Sequence, residues 1–401
     1  SWETEEDLNK NHDYIAFQIF KGVISKDNPT LFGVDWGQHI PDDEDFLAEL
    51  KRDLTIGGEF ENATTPQDVL AVISKWHDSD NDSIAFARFV CHYLYSKGDP
   101  KSSIVGGGGA IKIPEPGYYL IVDNIDFSNG DYYHAYNSFL LVNDTHQGEY
   151  NVIINHKVVK PTVEKKVYDN FDNQDGTSTG DFGSSADHAI NEKFQFQLIA
   201  KLPAGRDEGR AYDYYKEYAV LFNDTLSEGI TYDKLDSVVI NSNGHTYDIT
   251  NDTSKYTITE SQNSFVVKIP DVKTCAEGLD LNDGATITVT YTAHLNDKAY
   301  VNTEGGSTSN INKVYLTYSN NPKDESSVGQ TPESTPVYVY TYQLNNTKYH
   351  DEDKPGNELE GAGFRLYSDE ACNNEIKLKK NNDGTYSPYF GTDAGDEMFS
   401  D

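Results

Sequence analysis

The sequence predicts a mainly β protein built of tandem β-sandwich domains, with helices added to the first. Three observations predict it. Alternating apolar and polar segments recur through the second half, separated by Gly, Asn, Asp and Pro clusters. The 401-residue length exceeds one ordinary domain and suggests two or three. Hydrophobic residues make up 36% of the chain and aromatic residues 12%, enough to build real cores, which argues against global disorder.

Region 1–160 mixes helix and strand. DYIAFQIFKG (Asp13 to Gly22) reads as a strand rich in aromatic and β-branched residues. Thr65 and Pro66 open a helix: Thr65 caps it, Pro66 suits the first turn, and Asp68 complements the dipole. Val69, Val72, Ile73 and Trp76 then follow at helical spacing. A second helix is predicted from about Ser83 to Tyr95, with Phe86, Phe89, Val90, Tyr93 and Leu94 apolar and Gly98 just past its end. GGGG at 106–109 marks a loop, and Pro116 to Asp123 and Ser138 to Asp144 read as buried strands.

Region 161–335 is nearly all strand. Lys193 to Pro203 alternates, with Phe194, Phe196, Leu198 and Ala200 on one face. SFVVKIP, ATITVTYTAHL and NKVYLTYSN are further strands. Leu221 to Asp233 (LFNDTLSEGITYD) reads as a turn-rich connection, and Ser319 to Pro336 as a polar, Pro-containing linker. Region 336–401 opens another small β-domain that breaks off at Asp401. The chain begins with polar sequence at Ser1 and shows no signal peptide, so it reads as a mature or trimmed part of something longer.

Several function classes are excluded or disfavoured. The net charge of -34 argues against nucleic acid and against anionic membrane surfaces. No run of about 18 apolar residues is present, so no membrane span is expected. Cys91, Cys275 and Cys372 are far apart without CxxC spacing, which disfavours zinc and a dense disulfide framework. Cys91 reads as a buried small hydrophobe; Cys372 follows a strand signal, with a Cys beyond the end of the chain as one candidate partner. No GxSxG elbow is found, since the one match, Gly176 to Gly180, falls in an acidic, turn-rich stretch; no HExxH, Walker or dinucleotide motif occurs and the eleven His are scattered, so a turnover enzyme is not expected. No cofactor is implied. Calcium is the one candidate, at Asp172 to Asp181 and Asp351 to Glu358; neither fits an EF-hand, and solvated acidic turns are the preferred reading.

DYIAFQIFKG is followed by LFGVDWGQHI. KPTVEKKV, ADHAINEKFQFQLIAKLP, FNDTLSEGITYD and NKVYLTYSNNP come next, then YTYQLNNTKYHDED with LEGAGFRLYSDEAC. As an ordered set spanning essentially the whole chain, these stretches resemble the major (shaft) pilins of Gram-positive, sortase-assembled pili. The first pair is similar to the opening of their N-terminal domain, the next four to their middle domain, and the last pair to the start of a collagen-adhesin B-type (CnaB) domain. The resemblance implies tandem immunoglobulin-like β-sandwich domains, the N-terminal one with added helices, over 1–160, 161–335 and 336–401. It also implies autocatalytic Lys–Asn isopeptide bonds inside domains and linkage between subunits by a pilin-specific sortase. The partners implied are neighbouring subunits head to tail, and minor or tip pilins. The implied location is an extracellular pilus anchored to the cell wall, supporting adhesion.

The residues can be set against that resemblance. In PTVEKKV, strand alternation puts Val163, Lys165 and Val167 on one face. If the valines face the core, so does Lys165, and a core lysine is costly unless its charge is lost. Burial lowers the amine's pKa and leaves it nucleophilic. Lys165 is therefore the expected bond-forming amine. Asn312 shares a face with Val314 and Leu316 and is the preferred partner, with Asn302 and Asn310 as alternatives. A protonated carboxyl is needed to polarise the Asn carbonyl. Asp187 matches the family pattern for that acid, and Glu192 is the runner-up. Joining early and late strands, such a bond lets tension pass along a covalent link.

In YQLNNTKYHD, Leu344, Asn346 and Lys348 share a face, and Lys348 matches the bond-forming lysine of the next domain. Its partners would lie beyond Asp401, so Lys348 is expected to be unbonded. The sortase-linkage lysine should close the first domain. The family shows a Tyr-Pro-Lys motif there, and this sequence has Asn155-His156-Lys157. That leaves Lys157 or Lys160; Lys157 is preferred because Val152 and Ile154 alternate into a strand ending there. The LPxTG-type sorting signal does not occur in the chain. The alternative reading is a wall-anchored adhesin or tip pilin that binds host protein or glycan, although no large inserted binding domain is evident.

Overall fold

The computed structural model describes residues 14–25, 28–40, 42–77, 80–97, 104–106, 115–123, 136–142, 160–172, 178–205, 210–302, 309–322 and 325–400. The chain is mainly β, in separate sheets.

The first unit contains β1 (Tyr14–Ser25), β2 (Asn28–Trp36), α1 (Asp43–Arg52), α2 (Pro66–Ile73), α3 (Asn81–Ser96), β3 (Ile104–Gly106), β4 (Gly117–Asp123) and β5 (Tyr136–Val142). Its sheet runs β2–β1–β4–β5, with β3 also on β1. β1 is buried on both faces, since Ala16, Phe17, Ile19 and Phe20 are all sealed. The helices cover the sheet with Phe46, Leu50, Val69, Phe86 and Val90. α2 starts where the sequence places it, with a reciprocal capping box between Thr65 and Asp68 and Pro66 in the first turn. Cys91 is buried on α3. The sequence reading overlooks α1, although Asp42 accepts from Asp45 N and acidic and basic turns flank the helix as the dipole favours.

The middle unit is a sandwich. Its strands are β6 (Thr162–Asp172), β7 (Ser178–Gly183), β8 (Ser185–Asp187), β9 (Lys193–Leu202), β10 (Val220–Leu226), β11 (Ile230–Ser242), β12 (His245–Asp248), β13 (Thr257–Ser261), β14 (Ser264–Ile269), β15 (Ala285–Leu295), β16 (Asn310–Ser319), β17 (Val328–Gln330) and β18 (Val337–Tyr340). One sheet runs β12–β11–β15–β9–β6–β7. The other runs β13–β14–β10–β16–β18–β8, with β17 on β16. Phe194, Phe196, Leu198 and Ala200 face inward as the alternation predicts, opposite Phe222, Val267, Val314 and Leu316 of the second sheet.

Two expectations give way here. Leu221 to Asp233 is not a turn-rich connection: it holds strand β10, a tight turn and the start of β11. Val220, Phe222 and Leu226 alternate into the core, and that burial outweighs the turn character of Asn223 and Asp224. Ser319 to Pro336 does not behave as a simple linker. β17 pairs with β16, and Thr331 N and Ser334 N donate to Leu316 O and Val314 O. β18 then completes the second sheet, antiparallel to β16 and parallel to β8, with Val337 and Val339 sealed in the core. The sandwich thus extends past the expected boundary at 335, to Tyr340.

Beyond it, 343–400 forms short two-stranded ladders in which, among the described residues, Leu378 is the one buried hydrophobic. The first two units touch through the helical turn Ala211–Tyr214. Tyr214 is buried within the first unit's core, and Arg88 Nη1 of α3 donates to Asp213 O at 3.3 Å.

Candidate functional site

Lys165 is the fourth residue of β6, whose inward face it shares with Val163 and Val167. Its side chain has no solvent exposure, and its ammonium points into the space between the two sheets. There it donates to Asp224 Oδ2 on β10 and, at 3.2 Å, to Tyr291 Oη on β15. Asn312 Nδ2 on β16 donates to the same Tyr291 Oη at 2.6 Å. Tyr291 Oη in turn donates to Asp224 Oδ2 at 3.4 Å. Strand register explains the convergence. Asp224 pairs with Val314 and Leu226 with Asn312, so Asp224 and Asn312 are diagonal neighbours on one inward face. Lys165 and Tyr291 come from the facing sheet, flanking β9 through Leu198 and Phe196.

Aromatic rings wall the cluster. Lys165 Nζ lies 5.2 Å from the Phe196 centroid and 5.5 Å from that of Tyr291. Tyr291 stacks on Phe196 and meets Phe265 edge-on at 4.8 Å. Burial in this apolar shell pushes the Lys165 amine down to about 8, against the pull of Asp224. Burial likewise raises the Asp224 carboxyl, against the pull of Lys165, and raises the Tyr291 hydroxyl. All three shifts favour uncharged groups, because the cost of stripping water from an ion pair here exceeds what a single contact returns. Two oxygens, Asp224 Oδ1 and Asn312 Oδ1, are buried without any hydrogen-bond partner. A lysine amine whose pKa is depressed, a carboxyl held toward its protonated form and a carboxamide therefore share one dry cavity.

The other expected residues lie elsewhere. Asp187 is not part of the cluster. On β8 it is Ala186 that faces inward, so Asp187 points outward. Its backbone N–H reaches Asp169 Oδ1 at 3.4 Å, and partial burial and the Asp169 carboxylate raise its pKa. Glu192 closes the turn into β9, accepting from Ala189 N at 2.9 Å and bonding His188 Nδ1 at 3.2 Å. Asn310 is buried, but its amide is used up by Tyr300 N, Tyr300 O and Val339 O. Asn302 is buried at a bridge to Tyr342. Lys160 and Lys348 are exposed. Lys157 lies outside the described residues, as do residues 173–177 of the first acidic loop. Residues 351–358 are almost entirely exposed, and among the described residues no group of three or more His, Cys, Asp or Glu is arranged to hold a metal.

Asp224 and Tyr291 are the members of the cluster that the sequence reading does not pick out. The signal for Asp224 was the frame Val220, Phe222, Asp224, Leu226, which puts a carboxyl at an inward position. Tyr291 sits in the inward frame Ile287, Val289, Tyr291, Ala293, but nothing in that frame distinguishes it from an ordinary core aromatic.

No family model matches the chain, and the search among curated proteins finds no relative. Among solved structures it is similar to the T6 backbone pilin of serotype M6 Streptococcus pyogenes, at 17% identity over 94% of this chain and 71% of that one, with a TM-score of 0.47. It is similar to the full-length major pilin SpaD of Corynebacterium diphtheriae, at 16% identity over 97% of this chain and 76% of that one, with a TM-score of 0.43. A C-terminal fragment of the major pilin GBS80 of Streptococcus agalactiae matches at 17% identity over 60% of this chain and 79% of that one, with a TM-score of 0.40. These neighbours are backbone or major pilins of Gram-positive bacteria.

Proposed function

We propose that this chain is a structural subunit of a covalently polymerised cell-surface pilus, and that its middle domain closes its own isopeptide bond between Lys165 and Asn312. The observation that carries the crosslink is the sealed Lys165–Asp224–Tyr291–Asn312 cluster bridging the two sheets. Soluble domains seldom bury a lysine and an aspartate together without using them. The pilus assignment is supported by the ordered set of sequence stretches that resemble major pilins.

In the proposed reaction the Lys165 Nζ lone pair attacks Asn312 Cγ. Asp224 takes the role of the acid, in place of Asp187. Its proton supplies a donor for Asn312 Oδ1, the buried oxygen that has none, and polarises the carbonyl. One C–N bond forms, the bond to Nδ2 breaks, and ammonia leaves. Nothing is oxidised or reduced. The reaction happens once per chain, so it matures the protein and does not turn over a substrate. Between subunits, a pilin-specific sortase would use Lys157 as the incoming amine. Lys348 is the candidate bond-forming lysine of the region after the sandwich. Neighbouring subunits head to tail, minor pilins, anchoring to the cell wall and support of adhesion belong to the same proposal.

The test is the intact mass of the chain, followed by peptide mapping. A mass short by one ammonia, with the peptides of Lys165 and Asn312 joined, supports the crosslink. A full mass removes the roles given to Lys165, Asp224 and Asn312. Sortase assembly of wild-type and Lys157→Ala chains then tests the linkage lysine separately.

A further inference from the structure

Asp224 is hydrogen-bonded to Lys165 and to Tyr291, whereas the amide nitrogen that must leave, Asn312 Nδ2, is bonded to Tyr291 Oη at 2.6 Å. The tyrosine hydroxyl is thus the atom that connects the acid and the amine to the leaving group. We propose that Tyr291 is a catalytic residue of the crosslinking reaction, its hydroxyl relaying a proton from Lys165 Nζ to the departing Asn312 Nδ2. This rests on the isopeptide reading above and gives that site a fourth member.

The proton balance closes. When the neutral Nζ attacks Cγ, it becomes a positively charged nitrogen with a proton to lose. The amide nitrogen, once conjugation with the carbonyl is broken, becomes a pyramidal amine with a lone pair to protonate. Tyr291 Oη is 3.2 Å from the first and 2.6 Å from the second. It accepts one proton from Nζ and gives its own to Nδ2, and it ends neutral. The hydroxyl hydrogen is a rotor and needs only to swing from Asp224 Oδ2 toward Nδ2. Ammonia leaves, and the new amide carries a single N–H.

The surroundings fit a relay better than an ionised base. The hydroxyl is fully buried, and that burial holds it well away from ionising. The ring has a separate task. Its contacts with Phe196 and Phe265 build the core, and these would survive removal of the oxygen. Substitution by Phe therefore separates the two roles.

The experiment follows the intact mass of the full chain over time after cell-free synthesis, for wild type, Tyr291→Phe and Asp224→Asn. Circular dichroism and the melting temperature report folding. The expected result is a folded Tyr291→Phe chain that loses ammonia about 10²-fold more slowly than wild type, with a smaller solvent isotope effect on what remains. A folded Tyr291→Phe chain that crosslinks at the wild-type rate overturns the relay and leaves the crosslink standing. A wild-type chain that never loses ammonia overturns the crosslink itself. If Tyr291→Phe does not fold, ammonia loss from the wild-type chain is followed in mixtures of light and heavy water: two protons in transit at the hydroxyl require an isotope effect that curves with deuterium fraction, and a linear or absent effect overturns the relay.

Discussion

Lys165 and Asn312 stand on opposite sheets of one sandwich, and both donate to the hydroxyl of Tyr291, at 3.2 and 2.6 Å. The strands that carry them are the first of the domain and one near its end, so a bond between them would enclose most of the sandwich in a covalent loop. The core sets the geometry and the chemistry then has only to follow.

That loop sets the size of the first prediction. By the relation used for disulfides, closing a loop of this length restricts the unfolded chain by about 5 kcal/mol. The Asn312→Ala chain should keep its full mass and unfold at a lower denaturant midpoint than wild type, by about this amount or more. A wild-type chain at its full calculated mass, with the midpoint of Asn312→Ala, would count against closure.

The identity of the acid gives the second. Asp224→Asn should stop ammonia loss, because the amide cannot donate the proton that the Asn312 carbonyl needs. Asp187→Asn should crosslink like wild type, since its side chain points away from the core. Intact mass separates the two, and the reverse pattern would restore the sequence-based assignment.

The third concerns pH, in a chain where Lys165 stays a free amine. Burial depresses the folded Lys165 pKa from 10.5 to about 8, and Asn312→Ala, which leaves that burial in place, should keep the depression. Between those values the unfolded chain binds the proton that the folded chain does not, so stability rises with pH across that window. Below about 8 both states hold the proton and the slope vanishes. The rise should total about 3 kcal/mol from urea midpoints. The Lys165→Met/Asn312→Ala double variant cancels tyrosine ionisation and should lack the rise.

The fourth tests the joint between the first two units. Tyr214 belongs to the middle unit by sequence and to the first unit's core by contact. Tyr214→Ala should cost about 3–5 kcal/mol of the first unit's stability, as for other buried aromatics. It should leave ammonia loss unchanged. Limited proteolysis should then cut the first unit sooner; equal protection would mean Tyr214 contributes little there.

The legible parts of the fold and site share one property: a regular alternation of apolar residues that fixes which neighbours face inward. Val163, Lys165 and Val167 alternate cleanly, as do Asn312, Val314 and Leu316, so both ends of the proposed bond can be read from the sequence. Asp224 could not be, because Asn223 and Asp224 together resemble a turn. Only burial of Phe222 and Leu226 on either side makes them strand. Asp187 lies outside the cluster for a one-residue reason, since the inward position on its short strand belongs to Ala186. β18 was hidden because its partners, β16 and β8, are remote in sequence, and a strand so short carries little pattern of its own.

The burial of Tyr214 in the first unit also sets an order of events during biosynthesis. A chain emerging N-terminus first has made β1 to β5 by residue 142, yet the last aromatic of that core comes only at position 214. Until then the first unit has a hole where a tyrosine belongs. Its consolidation is therefore timed to the arrival of the second unit's opening strands, β6 to β9, and of the helical turn that follows them. A nascent chain halted before residue 214 should remain protease-sensitive along its whole length, and protection should appear abruptly as that turn docks.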